Sequence, residues 1–278
     1  MFRIPIIRGF AKFINLPRRL RLWLDGKNVS LKIFKTIGRL YATNVVNVDK
    51  LKMSFIVIEG IDGSGKSTQL KKTLEFLGHQ QIKYKYIHFP RTDSPVYGDL
   101  IARFLRGDLG DLTSVNPYLV ALIYAGDRYD ARFQISEWLN EGSLVIADRY
   151  VYSNVAFQCA KYDDEQEKKR LWEWILFLEY QYHNIPRPDL NIFLDVPFEF
   201  TREKLSLARE GYDRDYLNGR QDIHEENLEF QEKVKKMYLS IARSTDDVRL
   251  VNCTGTDGKV LSPDRIFIEV KKHIQSLL

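Results

Sequence analysis

Cysteine is nearly absent: Cys159 and Cys253 are the two in 278 residues, and they stand far apart. Such scarcity excludes a disulfide framework and any clustered-thiolate metal site, and it suits a reducing compartment. Long apolar runs are missing too. None approaches the ~18 residues that a membrane-spanning helix needs, so a soluble chain is expected. Repeats and low-complexity tracts are absent, while 44% of the residues are hydrophobic, enough to bury a sizeable core. Acidic residues are missing from one end only. Residues 1–52 hold twelve Lys and Arg against Asp25 and Asp49 alone, a net charge of +10. Taking these from the chain's 42 basic and 37 acidic side chains leaves 30 and 35 beyond residue 52, a net of −5. The overall +5 is an average over two unlike pieces.

The boundary falls at Met53, so the expected organisation is a basic extension over residues 1–52 and one domain over residues 53–278. Three readings of the extension stand side by side: an organellar transit segment, though poor in serine, a basic amphipathic surface anchor, or an upstream read-through with the true start at Met53. The acidic domain has no basic stripe, so no nucleic-acid partner is expected for it. With so little cysteine a cytoplasmic location is expected, and a mitochondrial one only if residues 1–52 are a transit peptide.

What is present begins at Phe55. An apolar run, Phe55 to Ile58, turns abruptly into Gly60-Ile61-Asp62-Gly63-Ser64-Gly65-Lys66-Ser67-Thr68, and a helical pattern follows to about Leu77. This is the phosphate-binding loop pattern, in the strand–turn–helix setting it requires. Its glycines let backbone N–H groups close around phosphate oxygens at a helix N-terminus. Lys66 adds a point charge for the β- and γ-phosphates, and the Ser67 hydroxyl a ligand for Mg²⁺.

Further strands are expected over Ile82–His88, Ser143–Ala147, Leu190–Leu194 and Val248–Val251. Helices are expected over Tyr97–Leu105, Pro117–Asn140, Glu167–Tyr182 and Glu225–Ala242, with a charged segment over Arg209–Arg220. Alternating strands and helices imply a parallel sheet covered on both faces, with ligands at the carboxyl ends of the strands. Gly60, Arg91, Asp148 and Asp195 all fall just past strand ends. A phosphate cradle facing arginines at neighbouring strand ends suits transfer between two phosphorylated molecules.

Together, Glu59 to Thr68, Phe89-Pro90-Arg91, Asp148-Arg149-Tyr150 followed by Ser153-Asn154 and Ala156-Phe157, and Asp213-Arg214 in a charged loop resemble the thymidylate kinase family, over nearly all of residues 53–276. The resemblance implies a three-layer P-loop kinase fold with a five-stranded parallel sheet, the reaction ATP + dTMP → ADP + dTDP with Mg²⁺, and a homodimer. It further implies that Asp62 accepts a hydrogen bond from the sugar 3′-hydroxyl, and that Arg91 and Arg149 hold the acceptor phosphate. Asp148 would orient that region and join Ser67 at the metal. Tyr124 would stack on thymine, Arg128 bond its O4, Asn154 read the base edge and Phe157 pack against the deoxyribose. Some members carry an arginine directly after the loop aspartate. Here that position is Gly63, so the catalytic cation is expected from a lid over residues 209–222, as in the bacterial form, with Arg214 preferred and Arg209 the alternative. A kinase of the same fold acting on another nucleoside monophosphate or a deoxynucleoside is the alternative function.

Overall fold

The computed structural model describes residues 54–112, 114–206, 216, 217, 219, 222–225 and 227–278. The extension and most of the expected lid, including Arg209 and Arg214, lie outside the described residues.

Five strands form one parallel sheet: β1 (Phe55–Glu59), β2 (Tyr84–His88), β3 (Leu144–Asp148), β4 (Leu190–Asp195) and β5 (Val248–Asn252), in the order β2-β3-β1-β4-β5. Side chains alternate across a strand, and β1 shows what that does. Phe55 and Val57 join one apolar cluster, Ile56 and Ile58 another on the opposite face. The second is closed by α1 (Lys66–His79) and, from the far end of the chain, α8 (Pro263–Gln275). The first is covered by α3 (Pro117–Asn140), α4 (Val151–Cys159), α5 (Glu165–Phe177) and α7 (Leu228–Ser244). A short α2 (Tyr97–Leu105) packs on α3 through Ile101, Phe104, Leu105 and Val120. This is the expected three-layer α/β arrangement.

Local chemistry sets the helix ends. Asn116 accepts the N–H of Tyr118 at 2.9 Å ahead of Pro117, and Ser262 precedes Pro263 in the same way, so α3 and α8 begin where an oxygen cap meets a proline in the first turn. Asn227 accepts from Phe230 N at 2.9 Å. That cap starts α7 at Leu228 rather than at the expected Glu225. The strand expected from Ile82 begins at Tyr84, because the Ile82 N–H donates to Leu77 O and closes the end of α1. The expected long helix after residue 165 is α-helical to Phe177 and continues as a π-helical turn, Leu178–Tyr182. Two short helices were not expected from sequence: α4 and α6 (Phe198–Ser206).

Candidate active site

Strand register places the site. Ile58 and His88 both pair with Asp148, so β1, β2 and β3 end level, and the residues that follow them share one edge of the sheet. There a cavity of about 1390 Å³ is lined by the loop from Asp62 to Thr68 and by Arg91, Tyr124, Arg128, Asp148, Arg149, Asn154 and Phe157. Every described side chain expected at the site from sequence borders this one space, apart from Gly60 and Ile61 at the root of the loop.

The loop turns with Gly63 at φ 75° and Gly65 at φ 82°, conformations that side chains resist. A Cβ on Gly60 would come within 2.6 Å of the Ser64 hydroxyl. No side chain caps α1, so its first N–H groups are left for a ligand. Lys66 donates to Ile61 O at 3.2 Å across the loop. Burial, then the nearby Arg149 guanidinium, lower its amine to about 8, against the opposing pull of Asp148 and Asp62.

Arg149 reaches across to this loop, donating to Asp62 Oδ1 and, at 3.3 Å, to Ser153 Oγ. Gln231 on α7 takes the Asp62 N–H at 3.2 Å and returns a hydrogen bond to Oδ2 at 2.8 Å. Burial disfavours the Asp62 carboxylate, yet Arg149 and Lys66 outweigh it and hold the group well below the usual carboxylate range. Asp148 behaves alike: burial opposes its charge, but the hydrogen bond with His88 Nδ1 at 3.1 Å and the neighbouring Lys66 keep its pKa low. Its Oδ1 is buried with no partner.

The far wall is held by two ion pairs. Arg91 donates through Nε to Asp127 Oδ1 at 2.8 Å, and its own N–H goes to Oδ2 at 2.9 Å, with a cis Phe89-Pro90 bond just before it. Arg128, almost wholly buried, forks onto Glu179 with Nε at 2.7 Å. Asn154 donates its amide to Ala121 O and to Glu179 Oε1, both at 3.0 Å, so its orientation is fixed and its Oδ1 is left buried and unpartnered. Phe157 lies beneath the Arg149 guanidinium at 5.1 Å and packs on the His224 and Phe230 rings at 4.9 and 6.1 Å. It therefore serves the core and the cavity wall at once.

Several side chains here received no role from the sequence. Gln231, Glu179, Asp127 and His88 orient the residues above from distant positions, each through a pairing that no local spacing announces. Tyr216 and Asp222 of the expected lid, and His224 just after it, also border the cavity. Tyr216 donates to Asp222 Oδ2 at 3.0 Å, and burial with the nearby Asp62 charge pushes Asp222 up to about 7. Burial and Lys161 press His224 down to about 3.

Comparison with known proteins agrees on one family. The sequence model of thymidylate kinase matches residues 58–259. The chain is 28% identical over 224 residues to thymidylate kinase of Dictyostelium discoideum, covering 80% of this chain and 83% of that one. It is 35% identical over 200 residues to a probable thymidylate kinase of Pyrococcus horikoshii, covering 71% of this chain and 87% of the relative. Thymidylate kinase from Candida albicans superimposes with a TM-score of 0.59 at 28% identity, covering 80% of this chain and 91% of that structure.

Proposed function

This chain belongs to the thymidylate kinase family and phosphorylates dTMP to dTDP with ATP, and from that premise we propose how its residues divide the work. The observation that carries the proposal is the convergence of Lys66, Arg149 and Asp62 at the ends of adjacent strands, inside one cavity that also contains Arg91, Tyr124, Arg128, Asn154 and Phe157.

ATP places its phosphates on the loop from Gly60 to Thr68, where the free N–H groups of α1 and the Lys66 amine neutralise them. The dTMP phosphate meets Arg149 and Arg91. Asp62 accepts from the 3′-hydroxyl, while Tyr124 stacks on the base and Phe157 packs on the sugar. At the base edge, Arg128 donates to O4 and the unpartnered Asn154 Oδ1 accepts from N3–H. That donor–acceptor pair fits thymine and rejects cytosine, whose edge is reversed. An oxygen of the acceptor phosphate attacks the γ-phosphorus in line. A phosphate dianion needs no general base, so the protein's task is position and charge. Lys66, Arg149 and the lid arginine Arg214 stabilise the moving charge.

The residues present fit Mg²⁺. Asp148 Oδ1 is a buried carboxylate oxygen without a partner, and Ser67 presents a hydroxyl to the same cavity. Among the described residues no cluster of three His, Cys, Asp or Glu side chains could cage an ion alone. That suits a cation held by one carboxylate, one hydroxyl, nucleotide phosphates and water. Held by Asp148 and Ser67, the cation would offset the negative charge of the nucleotide phosphates during transfer.

A homodimer completes the proposal. Leu119, Leu122 and Phe133 are exposed on α3, and at ~100° per residue they fall within a ~60° arc of that helix. Phe177, the last residue of α5, and Tyr182, the last of the π-helical turn, are exposed as well. Such a face is what a second copy would cover. F133E should shift the protein to monomer in light scattering; an unchanged mass would place the interface elsewhere. Location in the cytoplasm rests on the two free, buried cysteines, and imaging of the tagged full chain tests it against a mitochondrial one.

ADP release measured across all natural nucleoside monophosphates tests the site assignments. dTMP should lead, dUMP should follow within the ~1–3 kcal/mol that one methyl supplies, and dCMP should be far weaker. Equal turnover of dCMP would remove Arg128 and Asn154 from the base edge.

A further inference from the structure

Arg149 sits in the left-handed region at φ 66°, which a side chain adopts only where its surroundings force it. Two consecutive residues of β1 do so. The Arg149 N–H donates to Ile58 O at 3.0 Å, and the next N–H, of Tyr150, donates to Glu59 Oε1 at 2.9 Å. Glu59 Oε1 also accepts from Ser153 N at 3.3 Å, so it caps α4, which has no side-chain cap of its own. Its other oxygen lies in a triangle. Oε2 is 2.6 Å from Ser153 Oγ and 2.8 Å from the Tyr238 hydroxyl, and those two oxygens are 2.7 Å from each other. Ser153 Oγ in turn receives the Arg149 guanidinium.

Three short oxygen–oxygen contacts call for three protons, and the two hydroxyls bring only two. We propose that Glu59 carries the third proton, closing a ring of hydrogen bonds with Ser153 and Tyr238, and that this neutral carboxyl is the positioning residue for Arg149. In the ring each oxygen donates one hydrogen bond and accepts one.

The arrangement has a purpose at a site for two phosphorylated substrates. Lys66 and Arg149 already face Asp62 and Asp148, while Arg91 and Arg128 are matched by Asp127 and Glu179. An ionised Glu59 would add an unmatched anion beneath the group that must attract phosphate. The charged and titratable groups facing it are Arg149 from the end of β3, Tyr238 from α7 and Lys66 from the loop. Burial raises the pKa of Glu59 and outweighs the Ser153 hydrogen bond, the Arg149 charge and the Tyr238 and Tyr150 hydrogen bonds, which all favour ionisation. The role depends on Arg149 being a ligand of the acceptor phosphate.

The test begins with the unaltered enzyme labelled with ¹³C at glutamate carboxyl carbons. At neutral pH one glutamate should resonate as a protonated acid, and E59Q should remove that signal. In kinetics, E59L should lower kcat/KM for dTMP by at least ~10-fold. E59Q keeps an acceptor for both N–H groups and a donor for the ring, so it should recover activity to within ~3-fold of the wild type. Ionised resonances for every glutamate would overturn the proposal, as would E59Q being as impaired as E59L. R149A, measured alongside, separates the two ideas: an unchanged KM for dTMP would overturn the phosphate role of Arg149 and hence the ring's purpose, while leaving the glutamate signal where it is.

Discussion

Lys66 holds its charge where burial and Arg149 both work against it, and the resulting pKa of about 8 makes its protonation part of nucleotide binding. Below that value the amine is charged and ready for phosphate. Above it the empty enzyme has lost the proton, so binding must take one up and the apparent affinity falls as pH rises. Titration calorimetry in buffers of different ionisation heat should show proton uptake on ATP binding near pH 9 (), and K66M should abolish it. No uptake in the wild type would mean that the amine is charged throughout. K66A should also lower turnover by at least ~10²-fold, since Lys66 is proposed to stabilise the charge on the transferring group. An enzyme keeping more than half its kcat would refute that role.

Phe157 raises a different question at the same scale, because its ring supports Arg149 and packs on His224 as well as bordering the cavity. An aromatic face against C2′ leaves a ribose hydroxyl neither room nor a hydrogen-bond partner. F157A should therefore reduce the preference for dTMP over ribothymidine monophosphate by ~10-fold or more, while the preference for dTMP over dUMP survives. Loss of both preferences together would show that the substitution has loosened the whole wall.

Between elements, α2 and α3 meet closely at Gly126. A Cβ on Gly126 would lie 2.1 Å from Tyr97 Cε1, a distance no side chain can occupy. Gly126 is followed by Asp127, which holds Arg91, and by Arg128, which borders the cavity and is proposed to read the base. G126A should therefore push the Tyr97 ring aside, at a cost of about 1–3 kcal/mol in unfolding free energy, and raise KM for dTMP more than it lowers kcat. Denaturant unfolding and steady-state kinetics on one variant read both effects. Stability within ~0.5 kcal/mol of the wild type would mean that α2 yields freely.

The lid belongs to the same scale. Arg214 is expected to act on charge that develops only during transfer, so R214A should lower kcat and leave dTMP affinity nearly unchanged. That pattern in R209A alone would transfer the role to Arg209.

For the molecule as a whole, what could be read from sequence divides by range. The phosphate loop was legible because its glycines, Lys66 and Ser67 are neighbours in the chain, and the sheet because apolar β-branched runs alternate with helical spacing. α4 was missed because its cap, Glu59, comes from a strand 94 residues before Ser153. Gln231 reaches Asp62 across 169 residues, and Tyr238 reaches Glu59 across 179. Such pairings carry no periodicity. They appear only once the sheet has brought the ends of its strands level.

The same division bears on residues 1–52, whose excess of ten positive charges is confined to one end. Among the described residues, those that line the cavity lie between Asp62 and Ile266, and the first central strand begins at Phe55. Every residue proposed for the phosphate cradle, base edge or acceptor-phosphate site belongs to residues 53–278. A chain beginning at Met53 should therefore fold and phosphorylate dTMP with kcat and KM within ~2-fold of the full chain. What the extension supplies should appear instead where clustered positive charge acts at long range, in retention on anionic surfaces that weakens with salt. Comparing the two chains separates these effects, because ADP release reads the site and salt-dependent retention on anionic vesicles reads the tail. Insolubility of the shorter chain, or a tenfold fall in its kcat/KM, would show that the basic segment stabilises the catalytic domain.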